Sequence, residues 1–304
     1  MKILLTGARG FIGTYLYREL QKAGYDLLGV DYDEGDLSLP DIAHRIIDQY
    51  RPHIVVHLAA KVGRLFGEED PALTIASNAL ATTYVAKACG YFGIKLVYAS
   101  TSEAFGDPGN DSLDENAPGR LPHNLYGLSK RWGEEAAQLY APEGLQILRF
   151  SMPYGPGLPA GRGRAAIITF LWQAHYRTSI TVHRGGRRCL CWIGDLVEAI
   201  RLVIENGGTG AWTIGRNDNE TLMLDVACMA CDIADAPRDL IVEIEAPANQ
   251  TVVKRLNIDR LTALGWEPCV SLLAGMKRTY KLVKLYDEKG MPPAQWRLSS
   301  SCSN

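Results

Sequence analysis

The feature that most constrains this chain stands at its start. An apolar run, Ile3-Leu4-Leu5, stops at Thr6-Gly7-Ala8-Arg9-Gly10-Phe11-Ile12-Gly13, and Phe11–Ala23 then keeps helical periodicity up to Gly24. A strand that breaks at glycine and turns at once into a helix gathers the unpaired N–H groups of the helix start at one point, where they attract an anion. In such a loop Gly7 permits the tight turn, Gly10 lets backbone approach a pyrophosphate, and Gly13 lets helix and strand pack closely. A second apolar run, Leu27–Val30, ends at Asp31. A carboxylate at that point, about twenty residues beyond the loop, meets the ribose hydroxyls of an adenosine and repels a 2′-phosphate. The expected cofactor is therefore NAD. Arg9 argues the other way, since a loop arginine could pair with that phosphate. Asp36, followed by Leu37, could reach the adenine or equally solvate a turn.

Further along, strand-like and helix-like stretches alternate. Ile42–Tyr50 is helical, His53–Leu58 strand-like, Leu73–Phe92 a long helix, Ile94–Ala99 a strand, Tyr126–Tyr140 a helix and Leu145–Phe150 a strand. Alternation of this kind implies right-handed βαβ units, and fully apolar strands imply a sheet covered on both faces. The rhythm loosens after Phe150. Met152–Arg164, rich in Gly, Pro and Arg, is expected to be largely loop. Helices are expected at Ala166–Tyr176, Leu196–Ile204 and Leu222–Ala234, with a strand at Ile180–His183. The expected fold is α/β, a Rossmann-type doubly wound parallel sheet with a smaller C-terminal substrate lobe. Residues 1–150 form the dinucleotide-binding domain, and 151–285 form mainly the substrate lobe, interleaved with the end of the sheet. Residues 286–304, ending Ser-Ser-Ser-Cys-Ser-Asn, form a mobile tail.

Composition narrows the partners. A formal net charge of −2 leaves no broad basic face for nucleic acid or an anionic membrane. Small arginine clusters, Arg162–Arg164 and Arg184–Arg188, suit a smaller anion or plain solvation. The first apolar run is too short for a signal core or a membrane span, so a cytoplasmic protein is expected. Seven cysteines, an odd number, are expected as reduced thiols. Cys189-Leu190-Cys191 and Cys228-Met229-Ala230-Cys231 lack a second CxxC knuckle, so no metal is expected.

Two groups supply candidate chemistry. Ser100-Thr101-Ser102-Glu103 follows the strand Ile94–Ala99, at the sheet edge where ligands bind. Tyr126 and Lys130 stand one helical turn apart, on one face. Tyrosine, with a pKa of about 10, is a poor base at neutral pH. A nearby ammonium and a bound pyridinium would both favour phenolate, so that Tyr126 takes a hydroxyl proton while hydride leaves the same carbon. Thr101 would share a hydrogen bond with that oxygen.

With these residues go His57-Leu58-Ala59-Ala60, Asn78, Arg149, Tyr154-Gly155-Pro156-Gly157, Arg188 through Trp192-Ile193-Gly194-Asp195, and Leu264-Gly265-Trp266-Glu267-Pro268. In this order, over about residues 1–285, the chain resembles the extended short-chain dehydrogenase/reductase family, with its nucleotide-sugar epimerases and dehydratases. The resemblance implies a nucleoside-diphosphate sugar as substrate, NAD recycled within each turnover, a 4-keto intermediate and a homodimer. It adds Phe11, Ile12, Leu58, Ala59, Ala60 and Asn78 to the cofactor residues, with Tyr126 and Lys130 serving both cofactor and catalysis. It also makes Thr101, Ser102 and Arg188 substrate contacts.

Within the family, Thr101-Ser102-Glu103 resembles the Thr-x-Glu triplet of members whose chemistry goes beyond C4, where simple 4-epimerases usually carry a small non-acidic residue in place of Glu103. Oxidation at C4 acidifies the C5 hydrogen or labilises a C5 carboxylate, and a nearby Glu can move protons there. The leading expectation is C4 oxidation followed by dehydration or decarboxylation. The alternatives are an epimerase acting at C4, or at C5 through the keto intermediate, and a non-catalytic NAD-binding protein. One residue departs from the family. Met152 stands where it usually has a substrate-contacting Asn, which leaves Arg162, Arg164 or Arg188 to meet the diphosphate, Arg188 first. His123, three residues before Tyr126, is expected in a turn or beside the sugar.

Overall fold

The apolar runs of the first half become parallel strands because their residues are inside on both faces: Ile3, Leu5, Val55, Val56, Leu96 and Val97 are all fully buried. The computed structural model describes residues 1–106, 109, 112–117, 119–161, 165–216, 220–247 and 251–291. The chain divides into two compact units, one of 1–150, 196–214 and 257–267, the other of the remaining segments.

In the first unit the strands are β1 (Lys2–Thr6), β2 (Asp26–Val30), β3 (Ile54–His57), β4 (Lys95–Thr101), β5 (Gln146–Phe150) and β6 (Gly210–Ile214). They lie in the order β2-β1-β3-β4-β5-β6, every pairing parallel. The chain moves one way from β1 to β2 and the other way to β3. The crevice at that reversal, outside the carboxyl ends of β1 and β3, is where an open parallel sheet takes a ligand. The main helices are α1 (Phe11–Lys22), α2 (Ile42–Tyr50), α3 (Ala81–Phe92), α4 (Leu125–Tyr140) and α5 (Ile193–Asn206). One face of α2 and one of α3 bury Ile46, Ile47, Val85, Ala86 and Cys89 in a core shared with Leu4, Val55, Leu96 and Ile147.

The long helix expected over Leu73–Phe92 is continuous but carries a π-turn. Pro71–Ile75 is α-helical, Ala76–Leu80 is a π-turn and α3 follows. Such turns displace one side chain from the regular stripe, and buried Asn78 lies in this one.

The second unit holds a three-stranded sheet of Glu220–Leu222, Arg187–Trp192 and Met152–Tyr154, and a parallel pair, Ile180–His183 with Ile241–Ile244. Helices Ala166–His175, Met223–Ala234 and Leu272–Glu288 pack on one another, burying Ile168, Leu171, Val226, Ala230, Met276 and Val283. Several elements differ from expectation. Met152–Tyr154 pairs with Leu190–Trp192 as a strand, where the Gly/Pro content suggested loop. The tail expected from 286 begins inside the last helix, whose Tyr286 is buried. Amphipathic spacing of Met276, Thr279, Leu282, Val283 and Tyr286 forms that helix. Residues 292–304, with Cys302, lie outside the described residues, as do Arg162 and Arg164.

Candidate active site

The glycine loop has the shape its spacing demands. Gly7 has φ +70, a left-handed conformation suited to glycine. A Cβ on Gly13 would stand 2.1 Å from the Gly7 carbonyl oxygen, so α1 can lie this close to the loop only without a side chain there. No side chain caps α1 at Gly10. The N–H groups of its first turn are left for a ligand, and this is the observation that fits a bound pyrophosphate. Phe11 and Ile12, both half-buried, open the helix.

Asp31, at the end of β2, accepts from the Arg9 backbone N–H at 2.9 Å and from its Nε at 3.2 Å. The same guanidinium donates to Asp33 at 2.8 Å and to Glu34 at 3.2 Å. Three carboxylates thus surround one cation, and Arg9 is held above its ordinary pKa by Asp31 and Asp33 in turn. The arginine that argued for a 2′-phosphate is committed to acids, and the local excess of negative charge favours NAD. Two other residues differ from expectation. Asp36 accepts from the Ser38 hydroxyl at 2.7 Å and its N–H at 2.9 Å. Those bonds hold its carboxyl below the usual range, and the residue braces its own turn. Leu37 points into the core beside Ile46 and Ile47, so its side chain is structural.

Leu58, Ala59 and Ala60 form the loop after β3. The Ala59 N–H donates to the Thr6 hydroxyl at 3.2 Å, and Thr6 also bonds His57 Nδ1 at 2.7 Å. The other His57 nitrogen meets Thr82 at 3.2 Å. Burial, with Lys130 adding, pulls the His57 pKa down to about 3, so the ring is a neutral strut. Asn78, expected at the cofactor, is fully buried instead. Its oxygen accepts from Lys61 N–H at 2.8 Å, and its amide donates to the Lys61 carbonyl and the Ser129 hydroxyl, both at 3.0 Å. With both amide hydrogens committed, it ties the loop after β3 to helix α4 and offers a ligand no donor.

At the end of β4 the expected chemical residues converge. The Thr101 hydroxyl favours the ionised form of the Tyr126 phenol and accepts from Glu103 N–H at 3.2 Å. Glu103 sits in the turn Ser102–Phe105, and Gly127 lets that turn press on α4, since a Cβ there would stand 2.7 Å from the Glu103 carbonyl. Ser102, like Thr101, is buried. His123 is exposed.

The electrostatics overturn one expectation. Desolvation holds the Tyr126 phenol above its ordinary value; the Thr101 hydroxyl opposes this and the Glu103 carboxylate reinforces it. Lys130 does not provide the downward pull expected of it. Its Nζ lies 4.5 Å from the Tyr98 ring centre, and burial lowers its pKa to about 7, with Glu134 opposing. The free protein therefore keeps the phenol protonated, and Lys130 is about half protonated near pH 7.

Beneath lies a polar network that sequence reasoning passed over. Glu134 receives Arg149 through Nη2 at 2.7 Å and Nε at 3.0 Å, and also bonds the Ser100 hydroxyl. Arg149 was legible as a motif residue. Its partner, one turn after Lys130, carried no signal of its own.

Residues 3–215 match the model of the NAD dependent epimerase/dehydratase family. The chain belongs to that family. It is similar to UDP-glucuronic acid decarboxylase 6 of Arabidopsis thaliana, 27% identical over 91% of this chain and 87% of the relative. It is also similar to a putative UDP-glucose 4-epimerase of Methanocaldococcus jannaschii, 26% identical over 93% of this chain and 98% of the relative. Among solved structures, the Thermus thermophilus UDP-glucose 4-epimerase in complex with NAD shares the fold, with a TM-score of 0.82 and 24% identity, covering 93% of this chain and 99% of that one.

In this family member the second unit presents less than expected. Arg188 is buried, and its guanidinium donates to the carbonyls of Arg187 and Val252, both at 2.7 Å, and Thr251 at 2.8 Å. As a freely offered phosphate ligand it is corrected: its fork braces the 251–252 segment. Asp195 accepts from Val270 N–H at 3.1 Å and is raised by burial against that bond and two arginines. Cys189 and Cys191 each donate to a backbone carbonyl, of Lys254 and Trp192. Met152 is half-buried in its strand.

Proposed function

We propose that this family member oxidises C4 of a nucleoside-diphosphate sugar and then uses Glu103 to eliminate water or carbon dioxide. The observation that carries the reading is the convergence at the carboxyl end of β4, where the turn of Glu103 is bonded to Thr101 and pressed against the helix that carries Tyr126. The first turn of α1, Gly7 and Asp31 would hold NAD, which when bound accepts the C4 hydride and sets a positive charge against the penalty on phenolate. Tyr126 takes the O4 proton as the carbon–hydrogen bond breaks, and Thr101 steadies that oxygen. Lys130 supplies the charge that settles the phenolate once a ligand brings polar partners to its amine. With a ketone at C4, Glu103 removes the C5 proton so that a C6 hydroxyl leaves as water. Alternatively a C5 carboxylate leaves as carbon dioxide, and Glu103 returns a proton to C5. For the electrons to balance, the hydride would return to the sugar, at C6 of the dehydrated ketone as C5 takes up a proton, or at C4 of the decarboxylated ketone, leaving NAD oxidised for the next turnover.

The similarity to UDP-glucuronic acid decarboxylases over nine-tenths of the chain supports decarboxylation. The similarity to a putative 4-epimerase over an equal span supports a second reading, in which Glu103 moves no carbon-bound proton. Incubation with UDP-, GDP- and dTDP-sugars, read by product mass, separates them. Loss of carbon dioxide, loss of water and unchanged mass correspond to the three chemistries. No turnover of any of them would leave a non-catalytic NAD-binding protein.

The reading includes a homodimer and a cytoplasmic location. Half-buried Leu125 and Leu128, and exposed Trp132 and Leu139, fall three and four residues apart with Glu135 between, an apolar stripe on α4. Sedimentation at equilibrium tests the dimer. Among the described residues no helix is long and apolar enough to cross a membrane.

A further inference from the structure

Asn124 precedes Tyr126 by two residues and has a double role. Its side-chain oxygen accepts from the Gly127 N–H at 2.9 Å and caps helix α4. Its amide donates to Glu103 Oε2 at 3.2 Å. One buried side chain therefore joins the helix that carries Tyr126 to the carboxylate expected at C5. A glutamate side chain on a turn can rotate about three bonds, and a donor fixed in a helix cap restrains it.

We infer that Asn124 is a positioning residue that holds Glu103 for the step after C4 oxidation, an inference that rests on the function proposed above. An amide is required for this. Serine caps a helix as well as asparagine does but donates nothing at that reach, and aspartate caps equally well but sets a second carboxylate against Glu103. The Glu103 backbone is held separately, by its N–H on Thr101 and its approach to Gly127, so loss of the amide removes one hold on the side chain and leaves the turn in place.

The test compares Asn124→Ser, Asn124→Asp and Glu103→Gln with the wild-type protein, using the nucleotide sugar that the panel identifies and added NAD. The midpoint of thermal unfolding, absorbance of reduced cofactor, deuterium entry at C5 from heavy water and product mass are followed. The expected result is an unfolding midpoint within about 2 °C of wild type for Asn124→Ser, since the cap survives. C4 oxidation stays within twofold, while C5 deuterium entry and product formation fall at least tenfold, so reduced cofactor accumulates. Asn124→Asp falls further still, and it carries the test if the serine variant does not fold. A merely structural role slows oxidation and the later step together, and that result overturns the inference. Product formation within twofold in Asn124→Ser, beside a tenfold loss in Glu103→Gln, overturns the inference and leaves the proposed function standing. Wild-type product formation in Glu103→Gln overturns both.

Discussion

The N-terminus of helix α1 and the arginine-rich strand Arg187–Trp192 were both expected to hold phosphate, and they use their donors in opposite ways. The first turn of α1 has no side-chain cap, so its N–H groups face outward without protein partners from a cap. Arg188 gives its guanidinium hydrogens to the carbonyls of 187, 251 and 252. A site built for a ligand leaves polar groups uncommitted, because pairing them within the protein would have to be undone at each binding event. A structural site commits them. The same contrast recurs within the first unit, where Asn78 and Asp36 are committed and the Thr101–Tyr126 pair stands ready to share a further oxygen.

The sharpest way to break the comparison is Tyr126→Phe. If the phenol carries the proton, turnover falls by roughly two to four orders of magnitude while NAD binding, followed by protein fluorescence, is unchanged. Undiminished turnover removes Tyr126 from the mechanism.

Lys130→Met follows in size and separates chemistry from stability. Burial lowers the Lys130 pKa from an ordinary 10.5 to about 7. A buried base depressed in this way binds fewer protons folded than unfolded between those values, so its contribution to stability is least below pH 7 and rises up to pH 10.5. Methionine removes that dependence. Urea unfolding should show the variant gaining on wild type at pH 6 and losing the advantage by pH 10, with turnover collapsed at both. His57 acts in the acid range. Its folded pKa of about 3 lies below an ordinary 6.5, so the stability it contributes is complete above pH 6.5 and drains away toward pH 3.

Much of the first unit was legible because the central strands β1, β3 and β4 are buried on both faces and each glycine of the loop has a steric reason. The strand Leu27–Val30 and helix Ile42–Tyr50 were found within a residue. The placing of the candidate cluster was legible because β4 ends at Thr101 and helical spacing puts Tyr126 and Lys130 on one side. The misses have physical causes. Asn78 carries a motif signal, yet a π-turn rotates it into the core, and one residue of helical slip is invisible to periodicity. Met152–Tyr154 is a strand because its pairing partner lies forty residues on, beyond the reach of local Gly and Pro statistics. Tyr126 was expected acidic because sequence gives the neighbour's charge but not its burial, and burial wins over Lys130 until a ligand arrives. Asn124 was overlooked because an Asn before a helix signals a cap, and a cap says nothing of what its second polar atom meets.

Gly13→Ala tests the loop itself. The added methyl meets a backbone oxygen that cannot swing away, so the expected cost is about 1–3 kcal/mol of stability together with loss of NAD binding. At Gly24, where a Cβ meets nothing within 4 Å but φ is +82, alanine should cost less and leave binding intact. Arg188→Met makes the opposite case. Leaving buried carbonyls unpaired costs ~1–3 kcal/mol in urea unfolding, and KM for the nucleotide sugar stays within a factor of two at low and high salt. A KM rising tenfold, and more so at low salt, would return Arg188 to the list of phosphate ligands.

The smallest effect expected is at Arg9, where the comparison meets an intermediate case: a cation in the cofactor loop whose donors are committed, but to acids in solvent. Exposed ion pairs are weak and screened by salt, so Asp33 and Glu34 restrain Arg9 without immobilising it. Asp33→Asn with Glu34→Gln releases the guanidinium from two of its three carboxylates and leaves Asp31 in place for the ribose. The ratio of NADP to NAD affinity should then rise roughly twofold to fivefold at low salt and return toward wild type at high salt. Asp31→Asn, which removes the carboxylate facing the 2′ position itself, should raise that ratio further. If neither change moves it, the discrimination resides in shape rather than charge, and the acids around Arg9 serve only to anchor the turn after β2.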